Sequence, residues 1–121
     1  MQTASPQDTF DSLFGSGAMM YSWWIDAEFT GIDSGGHIQT IDWTAKVTAD
    51  DGNDGETVAT IDHKAILKAA RQVMKARPEY ASDALVRECR NLIFAADEID
   101  FDANSADELL QVIVLGEIVF G

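Results

Sequence analysis

The sequence predicts an α+β domain in which a three-stranded antiparallel meander has one face covered by about three C-terminal helices. Between residues 21 and 61, apolar and polar side chains alternate, which is the period of half-buried strands. Two turn segments rich in Asp and Gly divide this region. After Asp62 the apolar residues recur every three or four positions, which is typical of helices packed on a core. Strands followed by helices indicate a two-layer fold.

The first twenty residues are expected to form either a short helix or a loose arm that precedes a single domain at residues 21–121. Ser5 is suited to cap a helix, Pro6 to occupy its first position and Asp8 its third. Gly15 is well placed to end it. The apolar side of this helix would consist of Phe10, Leu13 and Phe14.

Three strands are expected, at residues 21–30, about 38–48 and 56–61. The connections contain residues 33–36 and 50–55, whose Asp and Gly content favours tight turns. Alternation assigns nine side chains to the core: Tyr21, Trp23, Ile25, Ala27, Phe29, Ile41, Trp43, Ala45 and Val47. The residues between them are expected to face outward, so the meander has one apolar face.

Three helices are expected after the strands. Asp62 caps the first, which covers residues 63 to about 77, and Ser82 caps the second. The last begins with a capping box at residues 105–108 and continues through an apolar run to Phe120. Because this run is apolar on nearly every side, the helix should lie at the centre of the core or be covered by a second subunit.

The charge of the chain is its strongest indication of function. Twenty-one acidic residues stand against eight basic ones, for a net charge of -13. The charge is uneven: residues 63–95 carry +4, while residues 50–62 carry -5 and residues 96–121 carry -7. This balance argues against direct binding to nucleic acid or to an anionic membrane. It is compatible with a basic protein partner, with bound cations or with adaptation to high salt.

Cysteine content and hydropathy favour a cytoplasmic protein. Cys89 is the only cysteine, so it cannot form a disulfide within the chain. The N-terminus lacks the basic and apolar regions of a secretory signal. The apolar run at residues 109–120 is interrupted by Gln111 and Glu117 and is too short to span a bilayer.

A weak calcium motif precedes the last helix. Asp100, Asp102 and Asn104 match the first, third and fifth positions of an EF-hand loop. The match then fails, because Ser105 replaces the required glycine and Gln111 replaces the bidentate glutamate. An acidic loop that complements a helix dipole explains the segment better, and we predict neither a metal nor a cofactor.

The sequence predicts a binding protein and not an enzyme. His37 and His63 are the only histidines, and neither has a metal-ligand partner nearby in sequence. No nucleophile motif or phosphate-binding Gly-rich loop occurs. Cys89 falls on the apolar side of its helix, where a small buried side chain is expected.

A basic stripe runs along the first helix after the strands. Its members recur at helical spacing on one face: Lys64, Lys68, Arg71 and Lys75. The stripe lies opposite the apolar face, which favours a solvated surface. Alternatively, it pairs with the protein's own acids, within the fold or across a dimer. A nucleic-acid contact is disfavoured by the surrounding negative charge.

Trp24 breaks the pattern of its strand, because alternation places it on the polar face with Asp26 and Glu28. An exposed tryptophan among acids would suit an interface, where tryptophan is often a binding hot spot. In the alternative, the N-terminal helix covers it through Phe10 and Phe14.

We therefore expect a non-enzymatic acidic module that mimics nucleic acid and inhibits a basic, nucleic-acid-handling protein. Small inhibitors carried by mobile elements, of the antirestriction or anti-CRISPR kind, share this acidic composition. The candidate partner-binding residues are Trp24, Asp26, Glu28, Asp50, Asp51, Asp54, Glu56, Asp97, Glu98, Asp100 and Asp102. The alternative is a structural protein that homodimerises through its C-terminal helix, its acidity serving solubility or salt adaptation.

Overall fold

The computed structural model describes residues 2–121 and confirms the α+β class with its three-stranded antiparallel sheet. In chain order, the elements are α1 (Pro6–Phe14), β1 (Trp24–Thr30), β2 (Thr44–Asp50), β3 (Glu56–Ile61), α2 (His63–Lys75), α3 (Asp83–Phe94) and α4 (Ala103–Leu115). Two single-turn 3-10 helices, Ala18–Met20 and Ala96–Glu98, precede β1 and α4 respectively. The strands lie in the order β1-β2-β3, so β1 and β3 are the edges.

The central strand sets the inner face of the sheet. Ala45, Val47 and Ala49 of β2 are fully buried and face the helices. Antiparallel pairing places Phe29 and Ile61 on either side of Ala45, on the same inner face. The side chains between these positions point away from the helices, which leaves the other face of the sheet to solvent.

A β-bulge in β1 corrects the alternation that the sequence predicts. Trp24 pairs with Ala49 and Asp26 with Thr48, so Ile25 is an extra residue without a partner in β2. Trp24 therefore points inward, as Ala27 does, although the two are three positions apart. The alternation restarts after the bulge. The inward assignment of Ile25 is wrong, because 49% of its surface is exposed.

The first two strands are shorter than predicted. β1 begins at Trp24 instead of residue 21, and β2 begins at Thr44 instead of residue 38. Between the strands the chain folds back on itself, because the amide of Gln39 donates to the carbonyl of Gly31. Ile41 lies in this loop with 72% of its surface exposed, so its predicted core position is wrong.

The helix alternative for the N-terminal segment is confirmed. Ser5 and Asp8 form a reciprocal capping box at the start of α1, and Gly15 ends the helix. Phe10 packs edge-on against Phe29 and Trp43, with ring centroids 5.6 and 5.4 Å apart respectively. The N-terminal segment therefore shares the core of the sheet and helices.

The last helix lies at the centre of the protein's own core. Every residue from Ser105 to Gln111 is buried, and α4 packs against β3 and the other three helices. Its start differs from the prediction, since Asp102 is the cap and Ser105 is the third helical residue. Gly116 adopts a left-handed conformation and ends the helix, so residues 117–121 are not helical.

Glu108, predicted to cap its own helix, instead caps α3. One of its carboxylate oxygens accepts the backbone N–H of Ser82 at 2.8 Å, and the other accepts the Ser82 hydroxyl at 2.6 Å. Ser82 in turn accepts the amide of Leu85 and begins α3. A buried carboxylate on α4 therefore fixes the position at which α3 begins.

Asp107 joins the sheet to α4 through two consecutive tryptophans. One oxygen of its buried carboxylate accepts the indole N–H groups of Trp23 and Trp24, each at 2.7 Å. The other oxygen accepts the side-chain amide of Gln111 at 2.8 Å. Gln111 also bonds the backbone of Val119 and Phe120, so the same network holds the C-terminal tail.

None of the helices in residues 2–121 combines the length and the apolar character needed to cross a membrane.

Replacing Asp107 by Ala should lower the free energy of unfolding by about 3 kcal/mol, since it removes the acceptor of two indole N–H groups, of which that of Trp24 is buried, and one of the two acceptors of the Gln111 amide. Urea unfolding followed by tryptophan fluorescence measures this change. Glu117→Ala, at an exposed position, is the control and should change stability by less than about 0.5 kcal/mol. Equal effects of the two substitutions would contradict a structural role for Asp107.

Candidate protein-interaction surface

Several of the acidic residues hold the fold together through hydrogen bonds within the chain. Asp62 and Asp102 are the caps of α2 and α4 and accept backbone N–H groups there. Asp8, in the first turn of α1, accepts the backbone N–H of Ser5, which caps that helix. Three further carboxylates are buried: Glu88, Asp107 and Glu108. The net charge of -13 therefore overstates the acidity that is free to bind.

Glu88 anchors the acidic loop at residues 97–102. Its carboxylate is 1% exposed and accepts the backbone N–H of Asp100 at 2.6 Å. It also accepts the Nε–H group of Arg87, with an N–O distance of 2.9 Å. This hydrogen-bonded ion pair raises the pKa of the Arg87 guanidinium. The loop that the sequence indicated as a binding segment is thus tied to α3 from within.

The acidic loop lies in the helical layer, away from the outer face of the sheet. It borders a shallow cleft of about 280 Å³ beside α1, where Asp8, Asp11 and Asp100 come together. Asp97 and Glu98 are exposed. Asp102 caps α4, and the N–H of Ser105 lowers the pKa of its carboxyl.

The sheet brings together four of the predicted acids from all three strands. Asp26 and Glu28 of β1 point outward, and Asp50 of β2 pairs directly with Glu56 of β3. We call the uncovered side that these residues share the outer sheet face. Same-face positions repeat at about 6.6 Å along a strand, and opposed side chains lie about 5 Å apart. Asp26, Asp50 and Glu56 therefore form one group at the end of the sheet that bears the β2–β3 turn.

The turn after β2 adds two more of the predicted acids to that end. The carboxylate of Asp51 already accepts hydrogen bonds within the turn, since its Oδ1 accepts the backbone N–H groups of Asn53 and Gly55. Asp54 is exposed and has a left-handed backbone, with φ of 63°. Asp50 accepts the amide of Gly52 at 2.7 Å and keeps the turn closed.

Lys46 is the one cation that the described strands place on the outer sheet face. Alternation predicted that it faces outward, but it was not among the candidate partner-binding residues. It lies opposite Glu28 in the β1–β2 register. Within residues 2–121, however, the ion pairs are His37–Asp33, Arg77–Asp83 and Arg87–Glu88, so Lys46 is not in one. The free acids outnumber it at the turn end of the face.

Trp24 is not part of this surface. It is 6% exposed and bonded to Asp107, so an exposed interface position for it is wrong. The predicted cover is also different, because Phe10 and Phe14 pack against Phe29 and Trp43 while α4 holds Trp24. Two adjacent tryptophans share one buried acceptor, and no local sequence pattern signals that arrangement.

The basic stripe on α2 is exposed and unpaired in the described part of the chain. Lys64, Lys68 and Arg71 point away from the core, as does Lys75. None of them lies within 4 Å of an acidic group in residues 2–121. Pairing of the stripe with acids of the same fold is therefore wrong, and the stripe forms a separate positive surface in the helical layer.

The reactive side chains of residues 2–121 do not form a group that could hold a metal ion. No three carboxylate, imidazole or thiol groups lie close enough to share a metal ion there. His63 contacts the Thr9 hydroxyl at 2.9 Å, and burial lowers the pKa of its imidazole. Burial raises the pKa of the Cys89 thiol to about 12, which suppresses the reactive thiolate.

Comparisons with protein-family models, with curated proteins and with solved structures gave no match to this chain.

Replacing Asp102 by Ala should lower the free energy of unfolding by about 1 kcal/mol at pH 7, because it removes a helix cap. The folded state depresses the pKa of this carboxyl, so its charge-dependent contribution is present above the ordinary value of 3.8 and is lost as pH falls through the folded value. Urea unfolding at pH 7 and near pH 3 should show the difference from wild type shrink. Asp97→Ala is the control, and a pH-dependent loss of the same size in it would contradict the distinction.

The stability of the protein should fall above pH 9 through the Cys89 thiol. Its pKa is 9.0 ordinarily and about 12 when folded, so the unfolded chain releases this proton first. The unfolding free energy then decreases by up to about 1.4 kcal/mol per pH unit. Urea unfolding between pH 8 and pH 10.5 should show a shallower decrease for Cys89→Ala. Parallel decreases in the two proteins would contradict burial of the thiol.

Proposed function

We propose that this protein is a non-enzymatic inhibitor that occupies the basic, nucleic-acid-binding surface of another protein through its outer sheet face. The observation that supports this most strongly is the convergence of Asp26, Glu28, Asp50 and Glu56 from three strands on one uncovered face. A strand of DNA presents one charge per about 3.4 Å of helix axis, and its partners have basic surfaces matched to that array. Carboxylates at about 5 and 6.6 Å can meet the same basic groups.

The acids of the outer sheet face are free to bind. Within residues 2–121, the side-chain carboxylates of Asp26, Glu28 and Glu56 accept no hydrogen bond and join no ion pair. Asp50 uses one oxygen in the turn and leaves the other available. Because these groups do little for the fold, a partner role explains their positions better than stability does.

The distribution of charge favours a specific surface over general salt adaptation. The exposed side of α2 bears four cations and no acid occurs in that helix, while the outer sheet face on the other side of the sheet is acidic. Adaptation to salt would place acids on α2 as well, whereas the exposed acids of the helical layer, such as Asp97 and Glu98, lie outside that helix. The alternative of dimerisation through α4 loses its main argument, because that helix is already buried within the chain's own core.

The test is affinity capture from a lysate of the source organism, first enriched on heparin for nucleic-acid-binding proteins. Wild type is compared with two variants of equal charge. The face variant carries D26N, E28Q, D50N and E56Q, and the amide oxygen that D50N introduces can still accept the N–H of Gly52 in the turn. The control variant carries D42N, E79Q, D97N and E98Q, all at exposed positions off the face.

We expect wild type and the control variant to retain a heparin-binding protein that elutes as salt rises and that no longer binds DNA when captured. The face variant should lose at least nine-tenths of this capture. Equal losses in both variants would show that only total charge matters. Undiminished capture by the face variant would exclude the outer sheet face as the binding surface.

A further inference from the structure

The outer edge of β1 is open for strand pairing. β1 bonds to β2 on one side, and no other strand of residues 2–121 lies on its second side. Within the same described range, the backbone of residues 25–30 makes no hydrogen bond outside the sheet. Edge strands of soluble proteins are often protected by bulges, proline or lysine. The bulge at Ile25 protects only the start of β1, and residues 26–30 contain neither proline nor lysine. This edge can therefore accept another extended segment.

Both faces along this edge are prepared for side-chain contacts. On the outer sheet face, Asp26 and Glu28 stand at alternate positions next to the edge. On the inner face, Phe29 is 42% exposed and lies 5.2 Å from Phe14, measured between ring centroids. An added strand would find carboxylates beside its outer side chains and aromatic carbon beside its inner ones.

A second copy of this chain is a poor occupant. Antiparallel pairing of two β1 strands about residue 27 would set Asp26 of each copy opposite Glu28 of the other. Centring the pair on residue 26 or 28 would set identical acids opposite each other. Like charges directly opposed across a strand pair are destabilising. The same acids favour a strand that bears lysine or arginine at those positions.

We propose that a basic segment of the partner pairs with the open edge of β1 as an additional strand, with Lys or Arg at alternate positions and apolar residues between them. This inference rests on the proposed function and specifies how the partner binds. The opposite edge, β3, has only Glu56 as an acid, so charge complementarity selects β1. Backbone hydrogen bonds would supply affinity, and the alternate cations would supply specificity.

The probe for this inference is a fluorescent eight-residue peptide that alternates lysine and valine, with binding measured by anisotropy. Two further peptides carry N-methyl groups either on all lysine amides or on all valine amides. Amides of one residue type point to one edge of a strand, so only one of these peptides loses the donors that face β1. We expect one methylated peptide to bind at least tenfold more weakly and the other to bind nearly as well as the parent.

A matched pair of protein variants locates the site. D26N/E28Q removes two charges from β1 and should weaken binding of the parent peptide at least tenfold. D50N/E56Q removes two charges from the same face but from the other strands, and should change binding less than threefold. Equal weakening by the two variants would overturn the placement of the peptide on β1.

Equal binding of both methylated peptides would overturn strand addition and leave the proposed function standing, as electrostatic binding to the flat face. Failure of the parent peptide to bind, while the captured partner still binds, would also overturn strand addition alone. Failure of both would remove the proposed function as well.

Discussion

The buried carboxylate of Asp107 connects the start of β1 to α4 and, through Gln111, to the C-terminal tail. It accepts two adjacent indole N–H groups, so Trp23 and Trp24 both point toward α4 although they are neighbours in sequence. A regular strand cannot direct adjacent side chains to one side. β1 therefore begins only at Trp24, and the bulge at Ile25 sets the alternation of everything that follows in the strand. The bulge thus reconciles an inward Trp24, held by Asp107, with outward Asp26 and Glu28.

The acids of this protein fall into two groups with different physical roles. Those on the helices and at their starts mostly satisfy backbone donors or buried side chains, as Glu88 and Glu108 do. Those on the outer sheet face, apart from the turn bond of Asp50, satisfy nothing within the described chain. Net charge alone does not separate the groups, because a capping aspartate and a free aspartate count equally. The burial and hydrogen bonding of each carboxylate do separate them. On this basis the sheet is a better candidate surface than the loop at residues 97–102.

The sequence was sufficient for the elements but not for the contacts between them. Strong local signals, such as Ser5-Pro6 and Asp62, located the helix starts correctly. The predicted start of α4 was wrong because two capping patterns overlap, one at residues 102–105 and one at residues 105–108. The structure uses the first, which leaves Glu108 free to bond Ser82 at the start of α3. The position of Trp24 was beyond local pattern, since its acceptor is 83 residues away. Grouping Asp26 with Asp50 and Glu56 required the strand register, which alternation alone does not supply.

Binding at the outer sheet face is tested most directly by mapping the site of a cationic probe at residue resolution. Titration of hexalysine into the isotope-labelled protein, followed by amide chemical shifts, reports where a positive ligand binds. If the outer sheet face binds basic partners, the largest shifts fall in β1 and at the β2–β3 turn, beside Asp26, Asp50 and Glu56. Shifts concentrated at residues 97–102 would contradict it, as would small shifts spread evenly over the exposed acids.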